Sequence, residues 1–154
     1  MAGYYADSSV LVKRHVAEIG SGWVQSLCDP QANHLIMTSR ISQAEVYSAL
    51  NRRRRESALS QTDYAILAND FTAVLSQQYQ IIECVPAVVT QTKRLLEQHP
   101  LRAFDAVQLS SALVANQLAL SQGLPAITFL SADTRLTTAA QSEGLLVDNP
   151  NHYP

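Results

Sequence analysis

The chain has 154 residues, 47% of them hydrophobic and 16% charged, a size and balance that suit one globular domain burying roughly two-thirds of its unfolded surface. Its formal net charge of -2 supplies no general field for drawing in nucleic acid, so a polyanionic partner needs a local basic patch or a metal ion. Five Gly, six Pro, no repeat and no apolar run near the roughly 20 residues that span a bilayer exclude an evident linker and a membrane helix.

Gly3-Tyr4-Tyr5-Ala6 predicts a short strand that stops at Asp7, after which Ser8 and Ser9 cap a helical turn through Val10-Leu11-Val12. Asp7 therefore stands at the carboxyl end of a strand, the edge where open parallel sheets bind ligands. An N-cap role competes for Asp7, but the two serines are available for it. MAGYYADSSV lacks the basic and apolar regions of a secretion signal, so residues 1–154 are expected to form a single cytoplasmic domain.

Trp23 to Cys28 reads as a second helical piece, closed by Asp29-Pro30, and His34 to Thr38 as strand two. Ser39 or Ser42 opens the next helix, in which Ile41, Ala44, Tyr47 or Ser48, and Leu50 recur at helical spacing with Glu45 on or beside their face. That helix ends in Arg52, Arg53, Arg54 and Arg55, four of the eleven Lys and Arg residues. A solvated helix C-terminus explains such a run, and so does a contact with nucleic acid or a partner.

Gln61 to Gln78 is a further helix, with Tyr64, Leu67, Phe71, Val74 and Leu75 as a core stripe. Ile81 to Val85 reads as strand three, stopped by Pro86, and Ala87 to Gln98 as a helix broken at His99-Pro100. The stretch Leu101 to Val114, LRAFDAVQLSSALV, opens a helix running from about Arg102 to Ser121. Phe104, Val107, Leu109, Leu113 and Val114 give it the density of a helix buried on a sheet, and Asp105 sits among them. An Asp is almost never buried unless it is paired or binds metal. The alternative is a place at the helix N-terminus after Pro100, where a carboxylate accepts backbone N–H bonds. Ala126 to Leu130 is strand four, apolar throughout as a strand covered on both faces should be. Ser131-Ala132-Asp133 follows, then a helix from Thr134 to Glu143 with Gly144 as C-cap, a last strand Leu145 to Val147 and an irregular tail.

Strands alternating with helices give an α/β domain with a mainly parallel central sheet flanked by helices on both faces. In that topology Asp7 and Asp133 lie just beyond strand carboxyl ends, and Glu45 and Asp105 lie in early turns of helices that begin on the same edge. Two carboxylates about 4 Å apart repel by roughly 4 kcal/mol at an effective dielectric near 20, so four in one crevice take up protons or a cation. All-oxygen ligation selects a hard ion, Mg²⁺ or Mn²⁺, and phosphodiester hydrolysis is the chemistry such a site serves. GxxxxGK[ST], GxGxxG and GxSxG are absent, which removes phosphate-loop, dinucleotide and serine-hydrolase readings. Cys28 and Cys84 read as isolated buried thiols, and His15, His34, His99 and His152 as surface residues.

YADSSVLVK around Asp7, SQAEVYSAL around Glu45, LRAFDAVQLSSAL around Asp105 and FLSADTRLTTAAQSEGL around Asp133 occur in an order that resembles the PIN-domain ribonucleases, specifically the VapC-like toxins of toxin–antitoxin pairs. The resemblance spans nearly the whole chain and implies a PIN-like three-layer fold. It implies metal roles for Asp7, Glu45, Asp105 and Asp133, with Ser8 and Ser131 supporting the acids or their waters. It further implies Mg²⁺- or Mn²⁺-dependent endonucleolytic cleavage of RNA, homodimerisation, and inhibition by a small antitoxin whose C-terminal segment occupies the groove. Arg52 to Arg55 are then candidates for guiding the RNA backbone. The alternatives are a module of this fold that binds RNA or antitoxin without cutting, and a DNA nuclease, which the absence of clamp elements disfavours.

Overall fold

A computed structural model describes residues 1–154. The elements in chain order are β1 (Gly3–Ala6), α1 (Ser8–His15), α2 (Ser21–Leu27), β2 (Leu35–Ser39), α3 (Arg40–Arg55), α4 (Gln61–Gln78), β3 (Tyr79–Ile82), α5 (Pro86–Gln98), α6 (Ala103–Ser121), β4 (Thr128–Leu130), α7 (Thr134–Ser142) and β5 (Leu146–Asp148). The five strands form one sheet in the order β3-β2-β1-β4-β5, and every neighbouring pair is parallel. The chain therefore moves outward from β1 through β2 to β3, then returns to lay β4 on the other side of β1. That reversal makes the β1/β4 boundary the switch point of the sheet, where a crevice opens beyond the strand ends.

Alternation along the short strands sends side chains to two separate cores. On one face Tyr5, Met37 and Phe129 pack with Leu109 and Ala112 of α6 and Leu136 and Ala140 of α7. On the other, Ala6, Ile36, Leu130 and Tyr79 pack with Val10 and Leu11 of α1, Val46 and Leu50 of α3, and Phe71 of α4. The inward face of α6 is made of small residues, Ala106, Ser110, Ser111, Ala112, Ala115 and Ala119, which allow the helix to lie close to its neighbours. Ser110 Oγ donates to the Val88 carbonyl of α5 at 2.8 Å.

Several expectations from sequence need correction. Asp7 itself is the N-cap of α1, its Oδ1 accepting from Val10 N, and Ser8 and Ser9 are already helical. Strand three begins at Tyr79, two residues early, because Tyr79 is buried and its hydroxyl accepts from Arg14; Glu83 to Val85 leave the sheet and Pro86 starts α5, a position that suits its missing N–H. Phe104, read from sequence as core, is exposed in the first turn of α6. Cys84 is exposed, while Cys28 is buried. His15, His34 and His99 are half-buried and only His152 is at the surface; His15 lies edge-on to Phe71. The tail is ordered rather than irregular: Pro150–His152 form a 3₁₀ turn, Tyr153 stacks on Trp23 with ring centroids 4.4 Å apart, and its hydroxyl donates to Asp148 at 2.8 Å. Gly20, at φ +84°, lies against the Pro150 carbonyl, where any side chain would collide with backbone.

Candidate active site

The backbone carries Asp7 one residue past β1, where its N–H still donates to the Leu130 carbonyl of β4 at 3.1 Å. This continuation of the sheet fixes the carboxylate at the switch point. Ser9 Oγ donates to Oδ1 and Ser131 Oγ to Oδ2, each at 2.5 Å. Both hydroxyls are themselves oriented, because Ser9 Oγ accepts from Ala132 N at 2.9 Å and Ser131 Oγ from Asp133 N at 3.1 Å. The loops after β1 and β4 are thus stitched together through the acid. Asp7 is 4% exposed, and burial pushes its carboxyl up to about 6 despite these donors.

Glu45 sits in the second turn of α3, half-buried, and accepts from Gln108 Nε2 at 2.7 Å. Gln108 is 1% exposed on α6 and has every polar position used: Nε2 also donates to Ser42 Oγ at 2.8 Å, and Oε1 accepts from Tyr5 OH at 2.7 Å. Ser42 Oγ in turn donates to Thr38 Oγ1, whose own hydrogen goes to the Ala6 carbonyl, both at 2.7 Å. A buried polar chain therefore ties Glu45 to β1, β2 and α6. Burial raises the Glu45 carboxyl above its ordinary value, against hydrogen bonds from Gln108 and Ser8, and nearby Asp105 raises it further. Asp105 lies in the first turn of α6; burial raises it too, and Asp133 adds to the effect. Asp133 caps α7, its Oδ1 accepting from Arg135 N at 2.9 Å, with Arg135 Nη2 3.7 Å from Oδ2.

The four predicted acids are consequently brought to one edge of the sheet and linked pairwise in electrostatic reach, Asp7 with Glu45, Glu45 with Asp105 and Asp105 with Asp133. They form an open string rather than a closed shell: no three His, Cys, Asp or Glu side chains gather closely enough to hold an ion as they stand. The donor chemistry nonetheless fits a hard divalent cation, since every group is a carboxylate and three of the four are held above their ordinary pKa without an ion pair.

A groove of about 600 Å³ adjoins Glu45, lined by Ser8, Lys13, Glu18, Arg52, Arg53 and Phe104 among others. Lys13 and Arg53 both pair with Glu18 across its wall. The arginine run divides here. Arg52 and Arg53 line the groove, whereas Arg54 lies over the Tyr64 ring and bonds Gln61 and Asn51, and Arg55 is exposed on the helix end. Sequence reasoning missed Ser9, Ser42, Thr38, Tyr5 and above all Gln108. The available signal was a glutamine three residues after Asp105, on a helical face otherwise made of Ala, Ser and Leu.

Comparison with known proteins gives a consistent result. The protein-family model described as PIN domain matches residues 4–140. Ribonuclease VapC45 of Mycobacterium tuberculosis is 29% identical over 143 residues, covering 93% of this chain and 92% of that protein. The fold is similar to VapBC2 from Rickettsia felis bound to a DNA fragment from their promoter, with TM-score 0.59, 15% identity and coverage of 96% of this chain and 98% of that one. It is also similar to VapC20 of Mycobacterium tuberculosis, a sarcin-ricin loop cleaving toxin, with TM-score 0.62, 17% identity and coverage of 88% and 94%.

Proposed function

This chain belongs to the PIN-domain family, and on that premise we propose that it is a Mg²⁺- or Mn²⁺-dependent endoribonuclease, the toxin of a VapBC-type toxin–antitoxin pair. The observation that carries the reading is the string of four carboxylates at the switch point, three of them pushed toward protonation by burial and by one another. Groups perturbed by desolvation and like charge in a crevice are the mark of a working site. Asp7, Glu45, Asp105 and Asp133 would hold the ion. When bound, it supplies Lewis acidity toward the phosphate and toward water.

The chain's own residues prepare that chemistry. Ser9 and Ser131 aim the Asp7 oxygens, and Gln108 holds Glu45 Oε1. Arg52 offers its guanidinium group to the backbone of RNA in the adjoining groove, beside Arg53, which pairs with Glu18. A small antitoxin and a second copy of the chain are the protein partners of this reading. The antitoxin has a simple electrostatic route to inhibition, because an arginine inserted among the carboxylates satisfies them in place of the cation. No helix is long and apolar enough to cross a membrane.

Incubation of the purified protein with a mixed RNA pool is expected to give discrete cuts in Mg²⁺ or Mn²⁺ that vanish with EDTA and in Asp7→Asn. RNA binding without cleavage would replace this reading with a binding module, and cleavage of flap DNA but not RNA with a DNA nuclease.

A further inference from the structure

We propose that Phe104 is a stacking platform for one unpaired base of single-stranded RNA lying along the groove, with the Arg52 guanidinium holding a nearby backbone phosphate. The inference rests on the ribonuclease reading and adds the residue that receives a base and the residue that holds the phosphate beside it.

The chain has three phenylalanines, and two of them, Phe71 and Phe129, are fully buried. Phe104 is 56% exposed, in the first turn of α6 immediately before Asp105. Phe104 lines the same groove as Ser8 and Glu45, so the exposed aromatic residue and the Glu45 carboxylate share one space. The charges there point the same way. Glu18 is already paired with both Lys13 and Arg53, whereas the Arg52 side chain makes neither a hydrogen bond nor an ion pair. The groove thus presents an unpacked ring and an uncommitted guanidinium, the two features that an unpaired base and a neighbouring phosphate require.

The ring needs a base with a free face. A base in a duplex is already stacked on both faces, while an unpaired base has a free face that any aromatic side chain can cover regardless of sequence. A ring fixed at a helix start, with carboxylates beside it, suits a splayed nucleotide better than the shallow minor groove of an RNA helix.

The test measures binding of fluorescent single-stranded RNA by anisotropy to protein carrying Asp7→Asn, which silences cleavage, with Phe104, Phe104→Ala or Phe104→Trp in that background. Phe104→Ala is expected to weaken binding roughly 5- to 100-fold and Phe104→Trp to preserve it, with duplex RNA of the same sequence unaffected by either. Moving a single abasic site along the strand should reveal one position where loss of the base weakens binding to the Phe104 protein but not to Phe104→Ala. Equal affinity of Phe104→Ala for the intact strand, or an identical abasic profile in the two proteins, overturns the platform and hands the ring to a protein partner. In that event wild-type cleavage of RNA leaves the ribonuclease reading standing; absence of both cleavage and binding removes the two together.

Discussion

Glu143 and Asp7 are both acids placed beside an element's end and largely hidden from water, yet the fold treats them in opposite ways. Just past α7, Glu143 accepts from both terminal nitrogens of Arg94, at 3.1 and 2.9 Å, and contacts His99 Nε2 at 2.7 Å. These partners hold its carboxyl below the ordinary range. Asp7 receives two hydroxyls and one backbone N–H but no cation, and burial drives it upward. A fold that pairs one acid so fully elsewhere leaves Asp7, Glu45 and Asp105 without an ion pair in one crevice. The unpaired group is where a cation from outside has most to gain.

The largest effect should come from breaking the unpaired side of this comparison. A buried Asp with its folded value raised from 3.8 to about 6 makes the native state bind a proton that the unfolded chain releases between those values. Its stabilising protonation is complete below about pH 4 and is lost as pH rises through 6, at a cost on the order of 3 kcal/mol by pH 7 in metal-free protein. Glu45 and Asp105 shift in the same direction. Asp7→Asn is therefore expected to reduce RNA cleavage by on the order of 100-fold or more while raising the metal-free melting temperature at pH 7. The flanking hydroxyls of Ser9 and Ser131 can turn to suit the amide. Thermal scans in EDTA should show the wild type losing stability from pH 4 to 7 and Asp7→Asn losing less of it. Added Mg²⁺ should stabilise the wild type more at pH 7 than at pH 5. A variant that melts earlier yet cleaves normally would return Asp7 to a helix cap.

Gln108 sharpens the comparison by showing how an unpaired acid is nevertheless held still. Replacing it with Met keeps the volume but strips Glu45 of a donor and leaves the buried Tyr5 hydroxyl without its acceptor. Mutation of groups that orient metal-binding side chains typically costs 10- to 100-fold, and a buried unsatisfied polar group about 1–3 kcal/mol. Gln108→Met is thus expected to lose activity and stability together, with the affinity for Mn²⁺, read by calorimetry, falling alongside cleavage. Unchanged Mn²⁺ affinity with reduced stability would make Gln108 a core residue only.

Glu143→Gln breaks the paired side and should do the reverse of Asp7→Asn. It is expected to cost about 1–2 kcal/mol, because Arg94 and His99 lose a charged acceptor, with cleavage per folded molecule unchanged. Since the carboxyl of Glu143 is depressed, its contribution is present above the ordinary Glu value and fades as pH falls through the folded one, so chemical denaturation of wild type and variant should converge in acid.

The contrast between the two regions also marks what could be read from the residues alone. The βα alternation, the parallel sheet and the placing of Asp7, Glu45, Asp105 and Asp133 at one edge follow from local pattern plus the handedness of crossovers. Pairing across the fold was not legible. Glu143 with Arg94 joins residues 49 positions apart and Gln108 with Glu45 joins residues 63 apart, and neither separation leaves a periodic trace. Phe104 was misplaced for a related reason, since helical density says that a face is buried but not where the sheet beneath it ends. Tyr79 began its strand early because a hydroxyl bonded by Arg14 makes it a buried strand residue, a contact that its neighbours in sequence do not announce.

The same division between paired and unpaired charge separates the arginines, with the smallest expected effects. Arg54 bonds Gln61 and Asn51 and lies 5.2 Å from the Tyr64 ring centroid, so its guanidinium is committed to joining α3 to α4. Arg52, two residues earlier, faces the groove with no partner. If RNA lies there, Arg52→Ala should weaken binding uniformly across sequences and reduce the slope of log affinity against log salt by about 1, the signature of one lost phosphate contact. Arg54→Ala should leave that slope unchanged and cost at most about 1 kcal/mol of stability, since its contacts are exposed. Titrations of RNA at several salt concentrations distinguish the two, and a salt slope that drops for Arg54 but not for Arg52 would move the RNA path off the groove and onto the outer surface of α3.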